Sequence, residues 1–273
     1  MNPSLNHCFL LHQRPYRETS VIVDLLTESE GRVSVVCRGV RGSGNKAASL
    51  RSTLQPFAAL SVAWSGKSSL KSLRSAEVTC LAPRFLQHQL YAALYLNELL
   101  IRLFQHGESH VNLFAEYRHA IAELAEVDLS DSTGAGIGIG IGTGTGIGST
   151  EIPLRRFEFK LLATLGFEVD LHFDAVTGQP IEAKGLYHFH SEFGFSQQSF
   201  TEAIPDTMAE LKKEQQVSSQ LKELVVGDHL QALQQQDYSR PEVRRTAKLV
   251  MRAALAPHLG GRALKSRELY SKK

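Results

Sequence analysis

Apolar residues follow two different periods along the chain, and the change comes at Pro83. Before it, they fall in short β-branched runs separated by polar turns. Ser20-Val21-Ile22-Val23-Asp24-Leu25-Leu26 is one run, Glu30-Gly31 is a turn, and Arg32-Val33-Ser34-Val35-Val36-Cys37 is the next, which together predict a hairpin. Ala58–Trp64 and Ser69–Arg74 flank Ser65-Gly66-Lys67 in the same way. Several short strands with Gly-containing turns point to a small barrel. After Pro83 the period is helical: Leu86, Leu90, Leu94, Leu99 and Leu103 recur between Phe85 and Phe104, with His106-Gly107 as a stop. Val111–Val127 reads as a second helix. A third runs from Pro153, read as its first position, to Leu165, with Gly166 ending it. Residues 167–200 are mixed, with turns at Thr177-Gly178 and Lys184-Gly185. Thr207–Val226 returns to helix, and Ser239-Arg240-Pro241-Glu242 reads as a capping box for a last helix ending near Ala256.

The expected fold class is therefore α+β: a β-barrel over residues 1–80, then a mainly helical domain over 81–273 that carries a small strand-containing insert at 167–205. Residues 134–148 alternate eight glycines with Ala, Ile or Thr. Every one of those glycines is at an even position, so G-x-G-x-x-G cannot occur, and no P-loop Lys follows. The stretch reads as a Gly-rich flexible loop.

The length of 273 residues suits two domains, and the 42% hydrophobic content supports buried cores. No apolar run is long enough to span a bilayer, and Met1–Leu11 lacks the basic start of a signal peptide, so a cytoplasmic protein is expected. The three cysteines, Cys8, Cys37 and Cys80, are widely spaced and form no C-x-x-C pair. They read as small hydrophobes rather than as a disulfide or zinc framework.

Charge changes the picture more than composition does. The net charge of +2 conceals a segregation: residues 1–80 carry +5, residues 81–239 carry −11 and residues 240–273 carry +8. Two basic ends around an acidic middle point to a polyanionic partner. From Arg32 to Arg74 there are eight cations, Arg32, Arg38, Arg41, Lys46, Arg51, Lys67, Lys71 and Arg74, and no Asp or Glu. Cations on mobile loops follow a phosphate backbone and release its counterions, and Phe57 and Trp64 are candidates to stack on bases. The last helix repeats the theme with Arg244, Arg245, Lys248 and Arg252.

Nothing supports catalysis. No nucleophile elbow, H-E-x-x-H, Walker sequence or paired-carboxylate motif is present. His172, Asp174, His188 and His190 form the one local group of possible metal ligands, without the tight pair that zinc sites use. No metal, cofactor or membrane partner is expected. Two rivals to a DNA-binding protein stay open: an RNA-binding barrel protein, and an enzyme with an unrecognised site.

Six stretches in order resemble the RecO family of bacterial DNA repair proteins. They are Arg14-Pro15-Tyr16-Arg17-Glu18-Thr19-Ser20 followed by Glu30-Gly31-Arg32-Val33; Leu54-Gln55-Pro56-Phe57; Ser72-Leu73-Arg74-Ser75-Ala76-Glu77; Tyr95-Leu96-Asn97-Glu98-Leu99-Leu100; Leu154-Arg155-Arg156-Phe157-Glu158; and Leu264-Lys265-Ser266-Arg267-Glu268-Leu269. The resemblance implies an N-terminal OB-fold, a helical second domain, no enzymatic activity and association with the nucleoid. It further implies binding to single- and double-stranded DNA, strand annealing, and work with RecR and the single-stranded-DNA-binding protein to bring RecA onto coated DNA. Some members carry a four-cysteine zinc module; no cysteine lies near Asp174–His190 here, so the resemblance is to the zinc-free branch. In this family the single-stranded-DNA-binding protein is held by its acidic C-terminal peptide. A groove of Arg155 and Arg156 with Tyr95 and Leu99 is the expected site for it, favoured by the N-terminal end of the third helix. The alternative is that Arg155 and Arg156 pair internally with Glu151 or Glu158.

Overall fold

The computed structural model describes residues 5–127, 150–198 and 224–271. The Gly-rich stretch 134–148 and residues 207–223 of the expected helix lie outside them. Five strands close into a barrel: β1 (Asn6–Tyr16), β2 (Ser20–Thr27), β3 (Gly31–Cys37), β4 (Ala59–Ser65) and β5 (Leu70–Cys80), in the order β1-β2-β3-β5-β4, with helix α1 (Asn45–Thr53) between β3 and β4. This is the arrangement of an OB-fold. Helices α2 (Gln87–Leu103), α3 (Val111–Glu126) and α4 (Glu151–Thr164) follow. A three-stranded sheet, β7-β6-β8, is built from β6 (Leu186–His190), β7 (Gly194–Gln197) and β8 (Val225–Val226). Helices α5 (Gly227–Gln234), α6 (Pro241–Leu255) and α7 (Lys265–Ser271) complete the described chain.

The barrel and the helices share a core. Every residue of β2 is buried, because both faces are covered. Val21, Val23 and Leu25 point into the barrel with Leu10, Val33, Val35, Leu60 and Val62. Leu26 points outward with Phe9 and Leu11 and packs on α2 and α3 through Leu96, Leu99, Leu100 and Tyr117. A bulge between Leu10 and His12 takes Leu11 out of the β1–β2 ladder. The Asn97 amide of α2 donates to the Leu11 carbonyl at 2.9 Å, and Tyr117 donates to the Asn97 carbonyl oxygen at 2.6 Å. These polar groups are buried and mutually satisfied.

A strap from residues 104–109 crosses the β2–β3 turn. Arg32 donates to the carbonyls of Ile101 and Phe104 and so caps the C-terminal end of α2. Gly107 N–H donates to the Arg32 carbonyl at 3.2 Å. Gly31 has φ +66°, and a Cβ there would lie 1.7 Å from the Glu108 carbonyl oxygen. At the other end, Glu98 accepts from Lys265 N–H and Ser266 N–H and hydroxyl, capping α7, while Arg102 donates to the Arg262 and Ala263 carbonyls. Burial alone would raise the Glu98 carboxyl; the Ser266 and Lys265 bonds and Arg102 outweigh it and hold it below its ordinary value.

The interior also holds a charge. Arg155 pairs with Glu158 at 2.8 Å, and Tyr95 donates to Glu158 at 2.5 Å. Tyr95 and Glu158 are fully buried and Arg155 is 2% exposed. Burial pushes the Glu158 carboxyl up, and Arg155 and Tyr95 offset that only in part.

Several local expectations change. Helix α4 begins at Glu151, so Pro153 is its third residue, where the N–H would lack an intrahelical partner in any case. Helix α6 is capped at Arg240, not Ser239: Pro241 at its first position keeps Arg240 extended, and Ser239 N–H turns to Asp237 at 2.9 Å. Residues 225–226 form β8 rather than the end of a helix, and α1 occupies Asn45–Thr53, where the sequence pattern predicts no element. Among the described residues no helix is long and apolar enough to cross a membrane.

Two outcomes are expected. Gly31→Ala destabilises the protein by about 2–4 kcal/mol, from the left-handed backbone and the clash with Glu108 together; an unchanged urea midpoint would disprove the strap's role. Arg155→Ala costs about 3–5 kcal/mol because it leaves Glu158 buried and unpaired. Replacing all three members, Arg155→Met, Glu158→Leu and Tyr95→Phe, recovers most of that loss in the same denaturation assay.

Candidate nucleic-acid interface

The barrel's cations divide by environment. Arg38, Arg41, Lys46, Arg51, Lys67 and Arg74 are exposed, and Lys71 is half-buried. Arg38, Lys46 and Lys67 make no ion pair or side-chain hydrogen bond among the described residues. Arg51 donates to the Val40 and Gly42 carbonyls at 2.8 and 3.0 Å, which fixes the β3–α1 loop from below. Lys71 donates to the Gly66 carbonyl at 3.2 Å, and Arg74 to the Ser65 hydroxyl at 2.7 Å, bracing the β4–β5 hairpin. Strands β3 and β5 run parallel with Val36 opposite Ser72. Arg38 lies two residues beyond Val36 and Arg74 two beyond Ser72, so both basic segments leave the same end of this paired stretch.

Arg32 is the exception in this run. Its guanidinium is half-buried, held by α2 carbonyls, and its pKa is lowered chiefly by burial. It belongs to the barrel–helix junction and not to a surface for phosphates.

Sequence reading missed two further cations, Arg14 and Arg17, both exposed at the end of β1 and in the β1–β2 turn. That turn meets the β3–α1 loop: Arg41 N–H donates to the Thr19 carbonyl at 2.9 Å, and the Arg41 guanidinium to the Arg17 carbonyl at 3.3 Å. Their signal was the pair of arginines around Pro15-Tyr16, hidden because Glu18 follows and the run from Arg32 looked self-contained. Phe57, nominated for stacking, is 5% exposed and packs edge-on against Phe85 at 5.2 Å. Trp64 is half-buried against the barrel core.

The last helix does not present one basic face. Arg244 is 3% exposed and donates to the Tyr238 and Ser239 carbonyls at 2.7 and 2.8 Å, tying the α5–α6 turn to the helix. Lys248 pairs with Glu151 of α4 at 2.9 Å. Arg245 and Arg252 are exposed.

The expected peptide groove is also redistributed. Tyr95, Leu99 and Arg155 are interior residues, so a surface peptide does not meet them. Arg156 is different: its side chain is 38% exposed, pairs with Glu123 at 2.8 Å and lies 5.7 Å from the Tyr238 ring. It lines an open pocket of about 270 Å³ with Glu116, His119, Pro153, Phe157 and Lys160.

In the small sheet, Asp174 accepts from Val176, Thr177 and Gln197 N–H groups at 2.8, 2.7 and 2.5 Å and closes the insert. Burial raises its carboxyl, but those bonds outweigh the effect and hold it low. His190 instead stacks on Phe193 at 4.3 Å. Among the described residues no three His, Cys, Asp or Glu side chains converge as a metal site.

Comparison with known proteins agrees with this architecture. Residues 1–81 match the family model for the recombination protein O N terminal, and residues 144–268 match that for the recombination protein O C terminal. DNA repair protein RecO of Yersinia pestis (strain Pestoides F) is 37% identical over 262 residues, covering 96% of this chain and 92% of the relative. The proteins of the same name from Yersinia pseudotuberculosis serotype O:1b and Yersinia enterocolitica serotype O:8 are similar to the same extent, at 37% identity over 262 residues. With both family models matched and relatives aligned along nearly its whole length, the chain belongs to the recombination protein O family.

Proposed function

We propose that this protein is a non-catalytic mediator of recombinational DNA repair. It binds single- and double-stranded DNA through the barrel, anneals complementary strands, and with RecR helps load RecA onto DNA covered by single-stranded-DNA-binding protein. The observation that carries the reading is the set of exposed cations, Arg38, Arg41, Lys46 and Lys67, in a stretch without a single carboxylate. Such charges have no internal compensation and gain most from a polyanion. Arg51, Lys71 and Arg74 hold the loops that carry them, and Arg245 and Arg252 extend the basic surface on α6. Family membership and the names of the Yersinia relatives support the repair role. Strand annealing on DNA coated with the cognate single-stranded-DNA-binding protein tests it; failure to accelerate annealing would remove the mediator role.

For the acidic tail of the single-stranded-DNA-binding protein, we place the contact at Arg156. It is reachable beside Pro153 and Lys160, and a tail carboxylate would exchange for Glu123 and Glu116, which Arg156 and Lys160 hold at 2.8 and 4.0 Å. Arg155 supports the site from within only by holding α4 in place.

Two measurements follow. Changing Arg38, Arg41 and Lys46 together to Glu lowers DNA affinity and reduces the slope of log K against log salt by about 2–3, one unit per lost phosphate contact, with little change in urea midpoint. An unchanged slope would move the interface to Arg245 and Arg252. Arg156→Ala weakens a labelled acidic tail peptide by about 1.5–3 kcal/mol, the range for a hydrogen bond to a charged group, and leaves naked DNA binding intact; equal peptide affinities would empty the pocket of that role.

A further inference from the structure

We infer that the β1–β2 turn is a base-stacking site for unpaired nucleic acid, with Tyr16 as the platform and Arg17, Arg14, Arg38 and Arg41 around it. The inference deepens the DNA-binding reading above and rests on it. Four aromatic residues fall within the described part of the barrel: Phe9, Tyr16, Phe57 and Trp64. Phe9 and Phe57 are buried in the core shared with the helices, at 4% and 5% exposure. Trp64 packs on the core of the barrel. Tyr16 is half-buried at the very end of β1 and joins neither core.

Register places it among cations. Tyr16 pairs with Ser20, and Val21 pairs with Cys37. Arg38 follows Cys37, the last residue of β3, and is exposed at the start of the loop that Arg41 ties to the β1–β2 turn. Tyr16 and Ser20 lie on the outer face, since the neighbouring Val21 and Cys37 point into the barrel. The next row of that face is Arg14, Ile22 and Val36, paired in register.

The ring face is already reached by a planar group. The Arg17 guanidinium lies over Tyr16 at 5.2 Å from the centroid. A guanidinium stacks on an aromatic ring as a base does, and both gain from the ring's electrons. Arg17 achieves this at φ +52°, in the left-handed region that side-chain-bearing residues rarely adopt. The turn is held in that state by the two Arg41 bonds to the Thr19 and Arg17 carbonyls. Strain retained at an exposed turn, with a second loop tied to it, presents the ring and four cations as one preorganised patch. Duplex bases are stacked on each other and offer only edges and phosphates. An unpaired base can take the Tyr16 face while its flanking phosphates meet Arg38 and Arg41.

The test compares an oligo(dT) strand with a duplex of equal length by fluorescence anisotropy at fixed salt. Tyr16→Ala is expected to weaken the single strand by about 5- to 150-fold, the range for one lost stack. Duplex affinity and the salt slope stay unchanged, and Tyr16→Phe behaves as the parent. Photocrosslinking of an oligonucleotide carrying 5-iododeoxyuridine to the unmodified protein is expected to mark Tyr16, which does not depend on any variant folding. Equal effects of Tyr16→Ala on both ligands, or crosslinks confined to other residues, overturn the inference. The two readings separate cleanly: the Arg38, Arg41 and Lys46 triple variant reports on phosphate binding, so normal behaviour of Tyr16→Ala beside a weakened triple variant rejects stacking alone.

Discussion

The carbonyl of Leu11 decides how barrel and helices meet. A bulge in β1 frees it from the ladder, and the only way to bury it without cost is to supply a donor. Asn97 does so from α2, and Tyr117 of α3 satisfies Asn97 in turn. A buried acceptor left empty costs about 1–3 kcal/mol, so this three-residue chain selects one docking of α2 against the sheet among the many that apolar packing alone would tolerate. Once it is made, the outer face of β1 and β2 becomes core, and Arg32 and Gly31 lock the next hairpin to the same helix. The turns at Arg17 and Arg38 lie at the opposite ends of those strands, where α1 braces the second through Arg51.

That two-sided burial explains what could be read in the sequence. β2 is a continuous apolar run because it has no solvent face, and runs of that kind are easily found. β1 escaped detail because its alternation breaks at the bulge and Gln13-Arg14-Pro15 near its end are exposed. Helix α1 buries only Ala47 and so shows no apolar stripe. Helix α7 is short, and its hold on α2 comes from Glu98 and Arg102, residues distant in sequence. The helix starts failed for local reasons: proline moved the cap of α6 by one residue, and a proline tolerated in the first turn of α4 was mistaken for its first position.

Cations were harder to sort than elements. Arg32, Arg155, Arg244 and Lys248 look no different in sequence from Arg38 or Lys46, yet each is committed to a carbonyl or carboxylate of the fold. For Arg155 a signal existed in Glu158 three residues on, the spacing of partners on one helix face. For Arg32 and Arg244 the partners are backbone carbonyls, which have no sequence signature at all. The absence of acid between Arg32 and Arg74 was the better guide, since it leaves those cations without a carboxylate partner close in sequence.

The division of cations also bears on why binding and stability can be separated in this protein. Those inside satisfy carbonyls or carboxylates and would leave unpaired groups if removed. Arg38, Lys46 and Lys67 on the barrel loops are exposed and hold no ion pair among the described residues, so the fold gains nothing from them until phosphates arrive. The positive φ of Arg17 acts in the same direction, since a glycine there would be less strained but would carry neither charge nor stacking plane. A fold that retains strain at one turn, while satisfying the buried Leu11 carbonyl and Asn97 elsewhere, departs from local stability where a ligand can compensate for it.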